Sequence, residues 1–129
     1  SKRRKNKIYV SIPRFNFYVR KEKIMIKKYN KLVRDRIPEI IESSGEQCKT
    51  KTLSGEEYLT MLDIKLNEEI AEYQQDKNIE ELADVLEVIR AITVARGYTW
   101  EELETIRAKK EGARGGFSKK IFLIETMEK

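Results

Sequence analysis

Apolar residues recur at Leu59, Leu62, Leu66, Ile70 and Tyr73, the three-and-four spacing of one helix face. A second stripe follows at Leu82, Val85, Leu86, Ile89 and Ile92. The spacing predicts two long helices joined by a tight connection. Ser54-Gly-Glu-Glu57 reads as the capping box that opens the first, and Asn78-Ile-Glu-Glu81 as the one that opens the second, which should run to Gly97. Thr99-Trp-Glu-Glu102 repeats the signature for a third helix that uses Leu103 and Ile106 internally and should end near Gly112. Upstream, Pro38 suits the first turn of a short helix, Pro38 to Ser43, closed by Gly45. Residues 47–53 alternate weakly and contain threonines, as a short strand would. The pattern is that of a mainly α protein, a helical bundle with a central antiparallel helical hairpin and minor β content towards its ends.

The hairpin carries acids. Glu69 with Glu72 and Glu81 with Asp84 form two i/i+3 pairs, and only the eight residues from Tyr73 to Glu80 lie between them. Residues three apart on a helix are neighbours, so each pair presents two carboxylates from one face. Taking about 100° per residue, Glu69 lies roughly 60° and Glu72 roughly 120° from the centre of their apolar stripe, and Glu81 and Asp84 sit at about 70° and 130° from theirs. The pairs occupy the same relative flank and can converge. Glu68, roughly 160° from the stripe centre, should face solvent or a partner subunit. Oxygen ligands of this kind favour Mg²⁺ or Mn²⁺ over zinc, and such ions mostly serve phosphate chemistry. The plainer alternative is a solvated helix face.

Charge narrows the choice. The chain of 129 residues has a net charge of +5, but residues 1–28 hold eleven Lys/Arg and one acid, whereas residues 29–129 hold sixteen Lys/Arg and twenty-one acids. The globular part is acidic, which disfavours a nucleic acid along its surface and tolerates bound cations. The basic extension, residues 1–24, stops immediately before Met25, as expected if translation naturally starts there. The rival readings are a basic arm with interleaved Tyr9, Phe15, Phe17 and Tyr18, or strands at 7–12 and 15–19 around Pro13. Histidine is absent, which removes imidazole catalysis and histidine zinc sites, and the single Cys48 cannot form an internal disulfide. No apolar run reaches membrane-spanning length, so a reducing, cytoplasmic setting is the expectation.

Glu68-Glu69-Ile70-Ala71-Glu72 followed by Glu81-Leu82-Ala83-Asp84 resembles the EExxE…ExxD signature of MazG-like, all-α nucleotide pyrophosphohydrolases. The stretch YNKLVRDRIPEIIE from Tyr29 to Glu42 resembles the opening of the subgroup labelled phosphoribosyl-ATP pyrophosphohydrolase-like. Arg114-Gly-Gly-Phe117 with Ile121-Phe-Leu123 resembles its ending. The likeness covers residues 25–125, the extension lying outside the expected domain, 25–129. It implies an oligomer that splits a nucleoside triphosphate between the α and β phosphates, with magnesium as cofactor. The spacer between the acidic pairs is shorter than in many such proteins, which bears on how much of a base the hairpin covers.

On this reading Glu69, Glu72, Glu81 and Asp84 ligate Mg²⁺, with Mn²⁺ as the substitute, and Glu68 or Glu80 orients or deprotonates the attacking water. Lys110, Arg114 and Lys119 steady the departing pyrophosphate, and Asn30, Lys31 and Arg34 contact ribose or phosphate. Arg114 and its glycines equally suit a helix end, and Asn30 to Arg34 a polar capping segment. Trp100 is either a base-stacking platform or an interface anchor. The apolar stripes are broad for about three long helices, so a second copy should complete the bundle. The alternatives are a phosphoribosyl-ATP diphosphatase, a non-catalytic helical module that binds nucleotides or a partner, and a nucleic-acid binder that uses the basic extension.

Overall fold

The computed structural model describes residues 24–129, which hold four helices: α1 (Ile37–Ser43), α2 (Gly55–Asp76), α3 (Ile79–Ala95) and α4 (Trp100–Arg114). The expected aromatic-basic arm and the strands at 7–12 and 15–19 lie outside the described residues. The described chain falls into two units, 24–57 and 58–129.

In the first unit α1 starts with Pro38 in its first turn, where a missing N–H costs nothing. It stops at Gly45, whose φ of +102° only glycine adopts without strain. The strand expected at 47–53 does not form. These residues carry no regular structure and are mostly exposed, and among the described residues no strand exists to share a ladder with them. The capping box expected at Ser54 is not made either. Gly55 turns left-handed at φ +58°, so Ser54 is not in register with the first helical turn, and Glu57 instead reaches back to Lys51 at 3.2 Å.

In the second unit α2 and α3 run antiparallel. Arg96 pairs with Asp63 at one end (3.7 Å), Glu69 lies against Glu81 and Asp84 midway, and Glu81 reaches Asp76 beside the turn. Only Lys77 and Asn78 join the helices. Lys77 sits at φ +59° and donates its N–H to the Tyr73 carbonyl at 2.8 Å. Asn78 then accepts the Glu81 N–H at 3.0 Å and starts α3. α3 ends in a Schellman turn, in which the Tyr98 N–H reaches the Thr93 carbonyl, the Gly97 N–H reaches that of Val94, and Gly97 stands at φ +94°. α4 packs on α3 and opens with a complete capping box of Thr99 and Glu102. It passes through Gly112, where it was expected to stop, because the chain turns left-handed only at Gly115 (φ +82°).

The interior is small. Among the described residues Leu62, 2% exposed, Val88 and Thr93 are buried, and the Thr93 hydroxyl donates to the Ile89 carbonyl at 2.8 Å, satisfying the one buried polar side chain among them. Much apolar surface stays outside. On α3 Ile79, Leu82, Leu86 and Val94 are 42–71% exposed, and after α4 Phe117 and Ile121 to Ile124 are 74–97% exposed. The apolar run of this tail carries no regular structure, so the minor β content expected towards the ends is not found among the described residues.

Candidate metal centre

The antiparallel hairpin fixes which acids meet. Oxygen atoms of Glu69, Glu81 and Asp84 lie within 4.8 Å of one another, and so do those of Glu72, Asp76 and Glu81. Two three-carboxylate groups therefore share Glu81, where the sequence suggested one cage of four. Their environments differ. The Glu69 side chain is 12% exposed and Glu81 and Asp84 are half-buried, whereas Glu72 and Asp76 face solvent. Asp76 was missed because it belongs to neither i/i+3 pair. Its signal is its place four residues after Glu72 and two before the Asn78 cap.

Partial burial, then the charges of Asp76, Glu72 and Asp84, and finally a hydrogen bond with Asp76 all push the Glu81 carboxyl up from its ordinary range. The same side chain explains why the α3 cap is only half built. In α4 the Glu102 carboxylate returns to accept the Thr99 N–H at 2.8 Å and closes the box. The Glu81 carboxylate turns to its fellow acids, leaving Asn78 to cap alone.

A cation already touches this cluster. Lys65, 15% exposed, places Nζ 3.0 Å from Glu69 Oε2 and 3.4 Å from Glu68 Oε2. Glu68, expected to face solvent or a partner, is instead drawn into this part-buried pair. Lys65 also escaped the sequence reading, although it stands three and four residues before the two glutamates it meets.

The donor set suits a hard divalent ion. All donors are carboxylate oxygens, the ligand type that Mg²⁺ and other hard cations take. Neither three-carboxylate group includes the remaining candidates. Glu80 is exposed in the first turn of α3. Lys110 and Arg114 on α4 and Lys119 beyond it are exposed, and none forms an ion pair with these acids. Asn30, at φ +47°, Lys31 and Arg34 belong to the first unit. Trp100 lies half-buried at the start of α4 with the Arg90 guanidinium 5.7 Å from its ring centroid, an anchor between α3 and α4. No described helix is long and apolar enough to cross a membrane.

No family model matches this chain, and no solved structure matches it. Over 41 residues it is 58% identical to an uncharacterized protein of Mycolicibacterium smegmatis (strain ATCC 700084 / mc(2)155). That stretch is 32% of this chain and 42% of the relative, so the match spans less than half of the relative's length.

Proposed function

We propose that this chain is a MazG-like, Mg²⁺-dependent nucleoside triphosphate pyrophosphohydrolase that yields nucleoside monophosphate and pyrophosphate. The observation that carries the reading is the meeting of Glu69 on α2 with Glu81 and Asp84 on α3, three oxygen donors within 4.8 Å. Acids three apart on a single helix are commonplace on solvated faces. Acids from two helices that converge while partly desolvated are costly to keep without a cation. Glu69, Glu81 and Asp84 would hold the metal, with Glu72 and Asp76 adjoining it; when bound, it neutralises triphosphate charge and acidifies water.

In the reaction, water adds to the α phosphorus, the bond to the α–β bridging oxygen breaks, and the water proton leaves. Glu68 or Glu80 would take that proton, and Lys110, Arg114 and Lys119 would supply positive charge to the pyrophosphate as it departs. Asn30, Lys31 and Arg34 would contact the ribose or phosphates. Removal of aberrant nucleotides from the cellular pool would suit this activity.

The test is pyrophosphate release with Mg²⁺ across normal, deoxy, uracil-containing and damaged triphosphates, with phosphoribosyl-ATP included. Turnover that disappears in Glu72→Gln and Asp84→Asn, both still helical, upholds the assignment. Lys65 favours a second reading, in which the acids form an ion-pair network in a non-catalytic helical regulator. Nucleotide binding without pyrophosphate release would select it.

A further inference from the structure

The ion pair of Lys65 differs in burial from its counterparts elsewhere. Arg36 with Glu39, Lys51 with Glu57, Arg96 with Asp63, and Arg107 with Glu104 and Glu111 leave 52–78% of each side chain exposed. The Lys65 and Glu69 side chains are 15% and 12% exposed, with 3.0 Å between Nζ and Oε2. Water screens pairs of the first kind, which contribute little. A pair withdrawn from water acts on neighbouring charges through a lower dielectric. The helix also fixes where the ammonium stands. Lys65 precedes Glu69 by four residues and Glu68 by three, and its Nζ meets both, at 3.0 and 3.4 Å.

Glu69 is the α2 member of the less exposed carboxylate group, and Glu81 and Asp84 are its α3 members. A carboxylate has two oxygens and several lone pairs, so Glu69 can accept from Lys65 and still belong to that group. One positive charge therefore adjoins three formal negative ones. Two effects follow. The ammonium offsets the repulsion that opposes bringing the three acids together, and it repels any further cation that enters among them.

We propose that Lys65 is the resident counter-ion of the acidic hairpin, a positioning residue that keeps Glu69 with Glu81 and Asp84 in the absence of metal and weakens the hold of the site on a free divalent ion. The proposal rests on the metal-site reading above. A lysine that merely stabilised α2 would leave metal affinity where it is, and this separates the two roles.

The experiment uses the full chain with Mn²⁺ as the probe, titrated by electron paramagnetic resonance. Calorimetric melting with chelator and with Mn²⁺, and a pyrophosphate-release assay, run alongside. Lys65→Met keeps the aliphatic stem and removes the charge. It should lower the metal-free thermal midpoint, tighten Mn²⁺ binding about tenfold or more, and enlarge the rise in midpoint that Mn²⁺ brings. Lys65→Gln should bind Mn²⁺ as the Met variant does, which guards against a failure of that variant to fold, and Lys65→Arg, which keeps the charge, should bind it as the unaltered chain does. If the unaltered chain binds Mn²⁺ and neither neutral variant binds it more tightly, or if the midpoint falls equally with and without Mn²⁺, the proposal is overturned while the metal site stands. Absence of Mn²⁺ binding in every chain overturns both. Tighter binding in the neutral variants without pyrophosphate release by the unaltered chain upholds the counter-ion and overturns the hydrolase.

Discussion

Two residues show how local surroundings set chemistry. Partial burial, and then the nearby Glu42 carboxylate 3.9 Å away, raise the Cys48 thiol above its ordinary value, and its other neighbour is the Pro38 carbonyl at 3.8 Å. Less thiolate at neutral pH means slow alkylation. Glu42→Gln removes the charge and should speed iodoacetamide labelling near pH 8; an unchanged rate would show that burial alone governs it. Lys77 presents the opposite case, a side chain in a conformation that suits glycine. Its φ of +59° costs about 1 kcal/mol, offset in part by the hydrogen bond from its Nζ to Gln74 at 2.8 Å. Lys77→Gly should therefore leave stability equal or raise it by up to about 1 kcal/mol in urea unfolding.

At the scale of elements, three similar sequence signatures come out three ways. Thr99 and Glu102 close a full box, Asn78 caps without Glu81, and Ser54 does not cap. Thr99→Ala should cost about 1 kcal/mol of stability, whereas Ser54→Ala should cost nearly nothing, and paired urea titrations of the two variants would separate them. The helices and their antiparallel turn were legible because apolar spacing and glycine positions are local properties. Gly55 and Gly115 show what was not: sequence marks a glycine as permissive, but the φ it adopts depends on the chain around it. Of the acids, Glu69, Glu72, Glu81 and Asp84 were legible from periodicity. Asp76 and Lys65 were not, because what makes them relevant is their distance from Glu81 and Glu69, which follows only once the helices pack. The strand at 47–53 failed for a related reason, since strand propensity needs a second strand to pair with and none lies among the described residues.

For the whole molecule, the acid cluster links stability to solution conditions. Removing one charge from a crowded group relieves repulsion, so Glu81→Gln should raise the thermal midpoint of the metal-free protein and abolish the further rise that Mg²⁺ or Mn²⁺ brings to the unaltered chain. Scanning calorimetry with chelator and with metal reads both changes, and a fall in the metal-free midpoint would mean that Glu81 serves the fold instead. The surface ion pairs of Arg107 act in the other direction. Its hydrogen bond holds the Glu104 carboxyl below the ordinary range, so that contribution is present above that range and fades as the pH falls through the lowered value. Finally, only Lys77 and Asn78 separate α2 from α3, so closing this hairpin costs little chain entropy and its contacts are local. The carboxylates should then come together early, before the rest of the chain is in place. Divalent ions should consequently accelerate refolding more than they retard unfolding, and the two limbs of a stopped-flow chevron recorded with and without Mg²⁺ would display that asymmetry.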